Sequence, residues 1–212
     1  AQRVDLVEVF GLTRIQMPAP VPPSAKSIPG KLSLLMSGLP AKFRVNTYRQ
    51  AYSAQANDKV LVTISASPPQ ARKNRPLADP SGGENLKSTI IVEADNPEIR
   101  ALAEKIAGDE KDALLVAKKI NRWVGQNLTK EYGFSSDRST DVLKHKKGDC
   151  TEHSLLMVSL LRAVGIPAKR IDGVVYLVNE DKIPALYWHE WVEAFVGEWT
   201  QLDPTFGQDV AD

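Results

Sequence analysis

Lys147-Gly148-Asp149-Cys150-Thr151-Glu152-His153-Ser154, running into the apolar stretch Leu155 to Val164, decides how this chain is read. Asp149 is a strong helix N-cap, and Glu152 stands three residues later, the spacing at which a capping box satisfies donors on both sides. A helix is therefore predicted to begin at Cys150 and to end about four turns later, where Gly165 and Pro167 supply the usual C-terminal signals. Cys150 is the only cysteine in the chain. In the first turn of a helix its thiol meets the positive end of the dipole, which is expected to lower its pKa and favour the reactive thiolate. A lone cysteine is otherwise a small apolar residue. The helix start is what makes Cys150 a candidate nucleophile.

Such a nucleophile needs a base and a group to orient it. Tyr187-Trp188-His189-Glu190-Trp191 and Trp199-Thr200-Gln201-Leu202-Asp203-Pro204-Thr205 offer an imidazole and then a carboxylate. The run from His189 to Val196 alternates with period two, so His189, Trp191, Glu193 and Phe195 share one face and Val192, Ala194 and Val196 the other. Glu190 falls on the face away from His189. If this strand forms a hairpin with Trp199 to Asp203, a two-residue turn puts Asp203 on the wrong side. An odd loop or a bulge, with Phe195 opposite Trp199, sets Asp203 opposite Trp191 and diagonal to His189, at about 7–8 Å between Cα atoms. Taken singly, His189 is a core histidine and Asp203-Pro204 a turn opener. Their joint placement argues for chemistry.

Outward from these blocks, the chain opens with a proline-rich arm and a strand-bearing region, then turns to helices and, after the nucleophile helix, to strands again. Residues 1 to 30 hold five of the fourteen prolines and read as an extended arm. Two or three strands are expected between Lys31 and Ser67, the clearest being Val60 to Ser65. Residues 67 to 88 read as a loop or linker, and Ser88 to Val92 as one more strand. Asn96-Pro97-Glu98 opens a helix that Gly108 closes. The next helix carries Val116, Ile120, Trp123 and Val124 as a core stripe and fades near Asn127. A short helix over Ser139 to Lys144 leads into the Gly148 turn. Three strand-like runs follow the nucleophile helix: Val174 to Val178, His189 to Val196, and Trp199 to Leu202.

Composition sets outer bounds. The 212 residues are 42% hydrophobic and 25% charged, which suits a folded soluble protein rather than a disordered one. With 27 basic and 26 acidic residues, no global field favours nucleic acid or an anionic membrane. No run approaches the ~20 apolar residues that cross a bilayer, so membrane insertion is not expected. One cysteine excludes an internal disulfide framework and a multi-thiolate zinc site. A zinc site of Cys150, His153 and either His145 or His189 is conceivable but lacks the spaced ligand pairs such sites use, so no metal or cofactor is expected. His153 reads as a supporting residue. Lys144-His145-Lys146-Lys147 reads as a solvated face able to steer an acidic substrate.

Three blocks together resemble the transglutaminase-like superfamily of papain-like cysteine enzymes. They are Gly148 to Ser154 with the Leu-rich helix and Gly165-Ile166-Pro167-Ala168, then His189-Glu190-Trp191-Val192-Glu193, then Trp199 with Leu202-Asp203-Pro204-Thr205. The resemblance covers roughly residues 96 to 207. It implies an α+β fold in which a helix bearing the nucleophile packs on an antiparallel sheet, preceded by a β-rich N-terminal region. The expected division is 1–95 for that region and 96–212 for the catalytic domain.

Carried over residue by residue, the resemblance makes Cys150 the nucleophile, His189 the base and Asp203 the orienting acid. Where such proteins often have alanine after the histidine, this chain has Glu190. The backbone N–H of Cys150 is the first oxyanion donor, and the second is open among Trp123, Gln126 and Tyr132. Trp188 and Trp191 are the expected substrate-binding side chains. The leading expectation is a cysteine peptidase or amidase that forms a thioester on a protein or peptide substrate and passes the acyl group to water. A transglutaminase passing it to an amine uses the same triad, and a non-catalytic interaction module is the reading of a different class. The start at Ala1-Gln2, which fits a cleaved precursor or a cut piece, joins the resemblance in favouring a secreted or periplasmic setting. Oligomeric state is not legible.

Overall fold

The computed structural model describes residues 14–18, 20, 31–65, 69–178 and 182–209. Most of the proline-rich arm expected over residues 1 to 30 lies outside them. The contacts divide the chain into two compact units, one of Ala1–Pro18 with Pro69–Ala211 and one built on Ala19–Pro68.

In the first unit, β1 (Ile15–Gln16) comes first; the second unit then holds β2 (Lys31–Ser37), β3 (Gln50–Ala54) and β4 (Lys59–Ser65). These three form an antiparallel sheet in the order β2-β4-β3. The β-branched run at Val60 to Ser65 is its centre strand, with Val60 and Val62 buried.

The remainder of the first unit opens with an irregular stretch tied by hydrogen bonds to several of its turns. Leu77 donates its N–H to the Gly165 carbonyl at 2.8 Å, and Gln70 and Ala71 donate theirs to the Glu198 carboxylate. The strand expected over Ser88 to Val92 does not form. Thr89 and Val92 bond to each other twice, backbone to backbone and through the Thr89 hydroxyl, so the polar groups a sheet would use are spent in a local turn.

Helix α1 (Pro97–Ala107) starts under an Asn96 cap and ends at Gly108; α2 (Ala113–Asn127) starts under an Asp112 cap and buries Val116, Ala117, Ile120 and Val124. Then come β5 (Thr129–Lys130), α3 (Ser139–His145) and β6 (Lys147–Gly148), with β5 and β6 parallel. Helix α4 (Cys150–Ala163) begins under the full Asp149/Glu152 capping box. Its residues from Leu155 to Leu161 are all buried, as expected of a helix apolar on every side. β7 (Ala168–Val178), β8 (Pro184–Phe195) and β9 (Trp199–Leu202) complete an antiparallel sheet with β1. Val192, Ala194 and Leu202 of that sheet join Ile99, Ile120 and the α4 leucines in one core. Helices over antiparallel strands make an α+β fold.

Candidate active site

Strand β8 carries the site. One edge pairs with β7 from Pro184 to Ala194. The other edge meets β1 at Ala185 and Leu186 and β9 from Val192 to Phe195, and among the described residues no strand covers 187–191. Backbone groups left bare inside a protein are costly, so something must fill that gap. The first turn of α4 does. The Ser154 hydroxyl donates to the Glu190 carbonyl at 3.2 Å, and the Glu190 backbone lies near enough to the Cys150 thiol to favour its charged form. The thiol is thereby tied to the residue that directly follows His189.

The hairpin register puts Phe195 opposite Trp199 and Val192 opposite Leu202, so a three-residue connection gives Asp203 the parity the sequence required. His189 Nε2 stands 2.7 Å from Asp203 Oδ2, and both side chains are buried. The other oxygen, Oδ1, accepts the N–H groups of Thr205 at 2.8 Å and Phe206 at 3.1 Å. Asp203 is thus both a turn opener and a partner for the imidazole. A carboxylate only accepts, so the proton lies on Nε2 and the Nδ1 lone pair is left to receive one.

Burial pushes the Cys150 thiol up to about 12. The N–H of Glu190 favours the thiolate, while the charges of Asp149 and Glu190 oppose it. The lowering expected from the helix dipole is therefore overturned, because Cys150 is only 4% exposed and desolvation outweighs a partial charge at the helix end. Glu190 keeps the parity expected of it. Alternation turns its side chain from His189, but not into solvent: the carboxyl is buried, 3.5 Å from Arg170 Nη1 and opposite Asp172 on β7. Burial raises it to about 8, with Arg170 opposing and Asp172, Asp149 and Glu152 adding to the rise.

Around the imidazole lie two aromatic rings. Phe206 is 4.8 Å from the His189 ring centroid and Trp191 is 6.2 Å away and nearly parallel. Lys130 Nζ sits 5.4 Å from the Phe206 ring. Gly173 stands opposite His189 in the β7 register, and a Cβ there would lie 2.3 Å from the Trp191 indole. Only glycine lets that ring lie across the neighbouring strand.

The other expected site residues separate. Trp188 has the parity opposite to His189 and is exposed, so of the two tryptophans only Trp191 reaches the imidazole. Trp123 and Gln126 line a groove with Leu102, Ile106 and Leu143 rather than the thiol, because their face of α2 points away from the Asp203 loop. Gly125, on the opposite face of that helix, abuts Pro204. Tyr132 follows Glu131, whose N–H donates to the Gly148 carbonyl at 3.1 Å, and so leaves β5 beside the nucleophile turn. His153 is fully buried; its Nδ1–H donates to the Asp149 carbonyl at 2.6 Å, and burial pulls its pKa down. His145 lies on α3 with Nδ1 2.8 Å from the Asp141 carbonyl. Among the described residues no three His, Cys, Asp or Glu side chains gather as a metal-holding group.

Phe206, Ser154, Gly125 and Gly173 were not legible as site residues. Ser154 lies inside the nucleophile block and Phe206 just after the aspartate block, and that placement is the signal each carried. The glycines act through close approach, which only the partner element reveals.

The model of the transglutaminase-like superfamily core matches residues 100–204. This chain belongs to the transglutaminase-like superfamily. The superfamily is one of cysteine-dependent enzymes, and Cys150 is the cysteine this member brings. An uncharacterized protein of Haemophilus influenzae is 32% identical over 96 residues, which are 43% of this chain and 26% of that protein. The chain thus spans about a quarter of that relative's length.

Two solved structures share the transglutaminase-like fold. A Cytophaga hutchinsonii protein provisionally described as a cysteine protease superposes with a TM-score of 0.56 at 17% identity, covering 82% of this chain and 64% of that one. The periplasmic domain of TgpA from Pseudomonas aeruginosa, bound to ethylmercury, gives 0.52 at 20% identity, covering 84% and 72%. No helix among the described residues is long and apolar enough to cross a membrane.

Proposed function

We propose that this chain is a cysteine hydrolase acting on peptide or side-chain amide bonds through a thioester, with Cys150 as nucleophile, His189 as base and Asp203 as orienting acid. The observation that carries this reading is the buried 2.7 Å pair of His189 Nε2 and Asp203 Oδ2, directly before Glu190, whose backbone bears on the Cys150 thiol. Because the resting thiol is protonated, sulfur attack on the carbonyl carbon and transfer of the thiol proton to Nδ1 occur together. The carbonyl electron pair moves onto oxygen, where the Cys150 N–H receives it. Collapse expels the amine, which takes the proton back from His189 and leaves the acyl group on sulfur. Water then attacks, giving its proton to His189, and the acid departs as the thiol re-forms.

Tyr132 is the candidate for the second oxyanion donor that the chain path supports; Tyr132→Phe then lowers kcat with little change in KM, and an unchanged kcat removes it from that role. The aromatic and cationic surroundings of His189 suit a protein or peptide substrate. Likeness to a periplasmic domain supports a secreted or periplasmic setting, and recovery of the native protein with cytoplasmic markers on cell fractionation would reject it.

The deciding experiment supplies a glutamine-containing peptide and a labelled primary amine to the wild type and to Cys150→Ala. Hydrolysis faster than amine incorporation, both lost in the variant, is the expected result. Incorporation that outpaces hydrolysis makes the protein a transglutaminase instead. No turnover of any amide, with Cys150→Ala fully functional in the cell, makes it an interaction module.

A further inference from the structure

Away from the thiol, α1, α2 and α3 enclose a groove of about 670 Å³. Its floor is Leu102, Ile106, Trp123 and Leu143, each half-buried and packed against the core beneath. Its rim carries Lys105, Lys119, Arg122 and Lys146, and no acidic side chain lines it. Two of these cations have structural work. Lys119 Nζ donates to the Ala107 carbonyl at the end of α1, at 3.1 Å, and Arg122 pairs with Asp209 at 3.1 Å. Lys105 and Lys146 are exposed and carry no ion pair among the described residues. On a chain with a formal charge of only +1, an apolar trough edged by one sign of charge is a local feature that needs its own account.

The shape narrows the occupant. A membrane surface is met by apolar side chains that protrude, whereas these four lie at the bottom of a concavity. Single-stranded nucleic acid is held by several stacking rings, and Trp123 is the one aromatic here. A trough of this volume with an apolar floor and a cationic rim matches a short peptide that buries aliphatic or aromatic side chains and presents carboxylates on either side.

We propose that the groove is a docking site for an acidic, apolar-containing segment of a partner polypeptide. Docking there is independent of the chemistry at Cys150. Lys119, Arg122, Trp123 and Gln126 of α2 face the groove, while Asn121 and Gly125 face the loop that holds Asp203. The two surfaces use different sides of one helix and adjoin at Arg122, which reaches Asp209.

The test is fluorescence anisotropy on the full chain with a panel of labelled 15-residue peptides that vary Glu and Leu content separately. Vesicles of phosphatidylcholine with phosphatidylglycerol are run beside them. Peptides rich in both Glu and Leu are expected to bind saturably, and equally to wild type and Cys150→Ala. Lys105→Glu with Lys146→Glu weakens them about tenfold, since each exposed charge contributes only modestly and reversal turns attraction into repulsion. The double variant keeps a cooperative thermal transition with a midpoint lowered by only a few degrees, because both side chains are exposed and lose no more than a favourable place at a helix C-terminus.

Three results overturn the proposal: no peptide of the panel binds, binding is indifferent to the double reversal, or only the anionic vesicles bind. None of them touches the enzymatic reading, and a catalytically dead wild type that still binds the acidic peptides separates the two in the other direction.

Discussion

Asp203 divides its two oxygens between two tasks, one closing a turn onto the Thr205 and Phe206 N–H groups and one meeting His189 Nε2. Asp203→Asn keeps an oxygen for the turn but turns an amide donor toward an N–H. The imidazole then shifts its proton to Nδ1 and loses the lone pair that receives the thiol proton. Amide hydrolysis is expected to fall about 10³–10⁴-fold with the fold intact by near-ultraviolet circular dichroism. Cys150 supports a second prediction at the same scale. With its thiol pushed up to about 12, the thiolate fraction grows tenfold per pH unit below that value. Alkylation by iodoacetamide is expected to climb through pH 6 to 10 without levelling off; a plateau by neutral pH would mean a preformed thiolate. The capping box made the place of this sulfur legible. Its protonation state was not, because desolvation is set by residues as distant as Glu190 and the β8 edge.

Among the elements, α4 and β8 depend on each other: the helix start lies against a gap in the strand's edge, where the Ser154 hydroxyl donates to the Glu190 carbonyl. Helix α2 supports this arrangement from behind. A Cβ at Gly125 would stand 2.7 Å from the Pro204 carbonyl oxygen, a backbone atom with no rotamer to yield. Gly125→Ala is therefore expected to cost about 1–3 kcal/mol by urea unfolding and to lower activity by shifting the Asp203 loop. Gly125→Ala with wild-type activity would show that the loop is not braced by α2. Helix starts were legible at Asn96 and Asp149 because a cap acts within four residues, whereas the Asp112 cap of α2 came to light only in the structure. The expected strand at Ser88 to Val92 failed for a related reason: β-branched residues describe a surface that suits a sheet, but here no strand is alongside and Thr89 closes a turn instead.

For the molecule as a whole, two buried groups bound the pH range of stability. Glu190 ionises near its ordinary 4.5 when unfolded and near 8 when folded, so the fold binds the extra proton between those values. Its contribution is complete below about 4.5 and is lost as pH rises through about 8. His153 runs the other way. Its folded pKa lies below the ordinary 6.5, so stability is complete above 6.5 and is lost as pH falls through the folded value. The thermal midpoint should therefore peak between these limits. Glu190→Gln, which mimics the protonated carboxyl, is expected to flatten the alkaline side. Every tenfold difference in proton affinity between the folded and unfolded chain that the variant abolishes corresponds to about 1.4 kcal/mol, or about 3–6 °C for a chain of this size. An alkaline limb unchanged in Glu190→Gln would place its cause elsewhere.

The amino-acid sequence by itself determined the helix that begins at Cys150, the alternation of β8, the register that brings Asp203 to His189, and the superfamily. Each follows from rules acting over a few residues or across one hairpin. Tertiary structure alone decided that α4 completes the open edge of β8, that Glu190 is buried beside the thiol, that Trp123 and Gln126 belong to a separate groove, and that the thiol rests protonated. Those outcomes depend on which distant surfaces exclude water from a group, and the free energy of a buried charge or an unpaired backbone donor is fixed by that exclusion rather than by its neighbours in the chain.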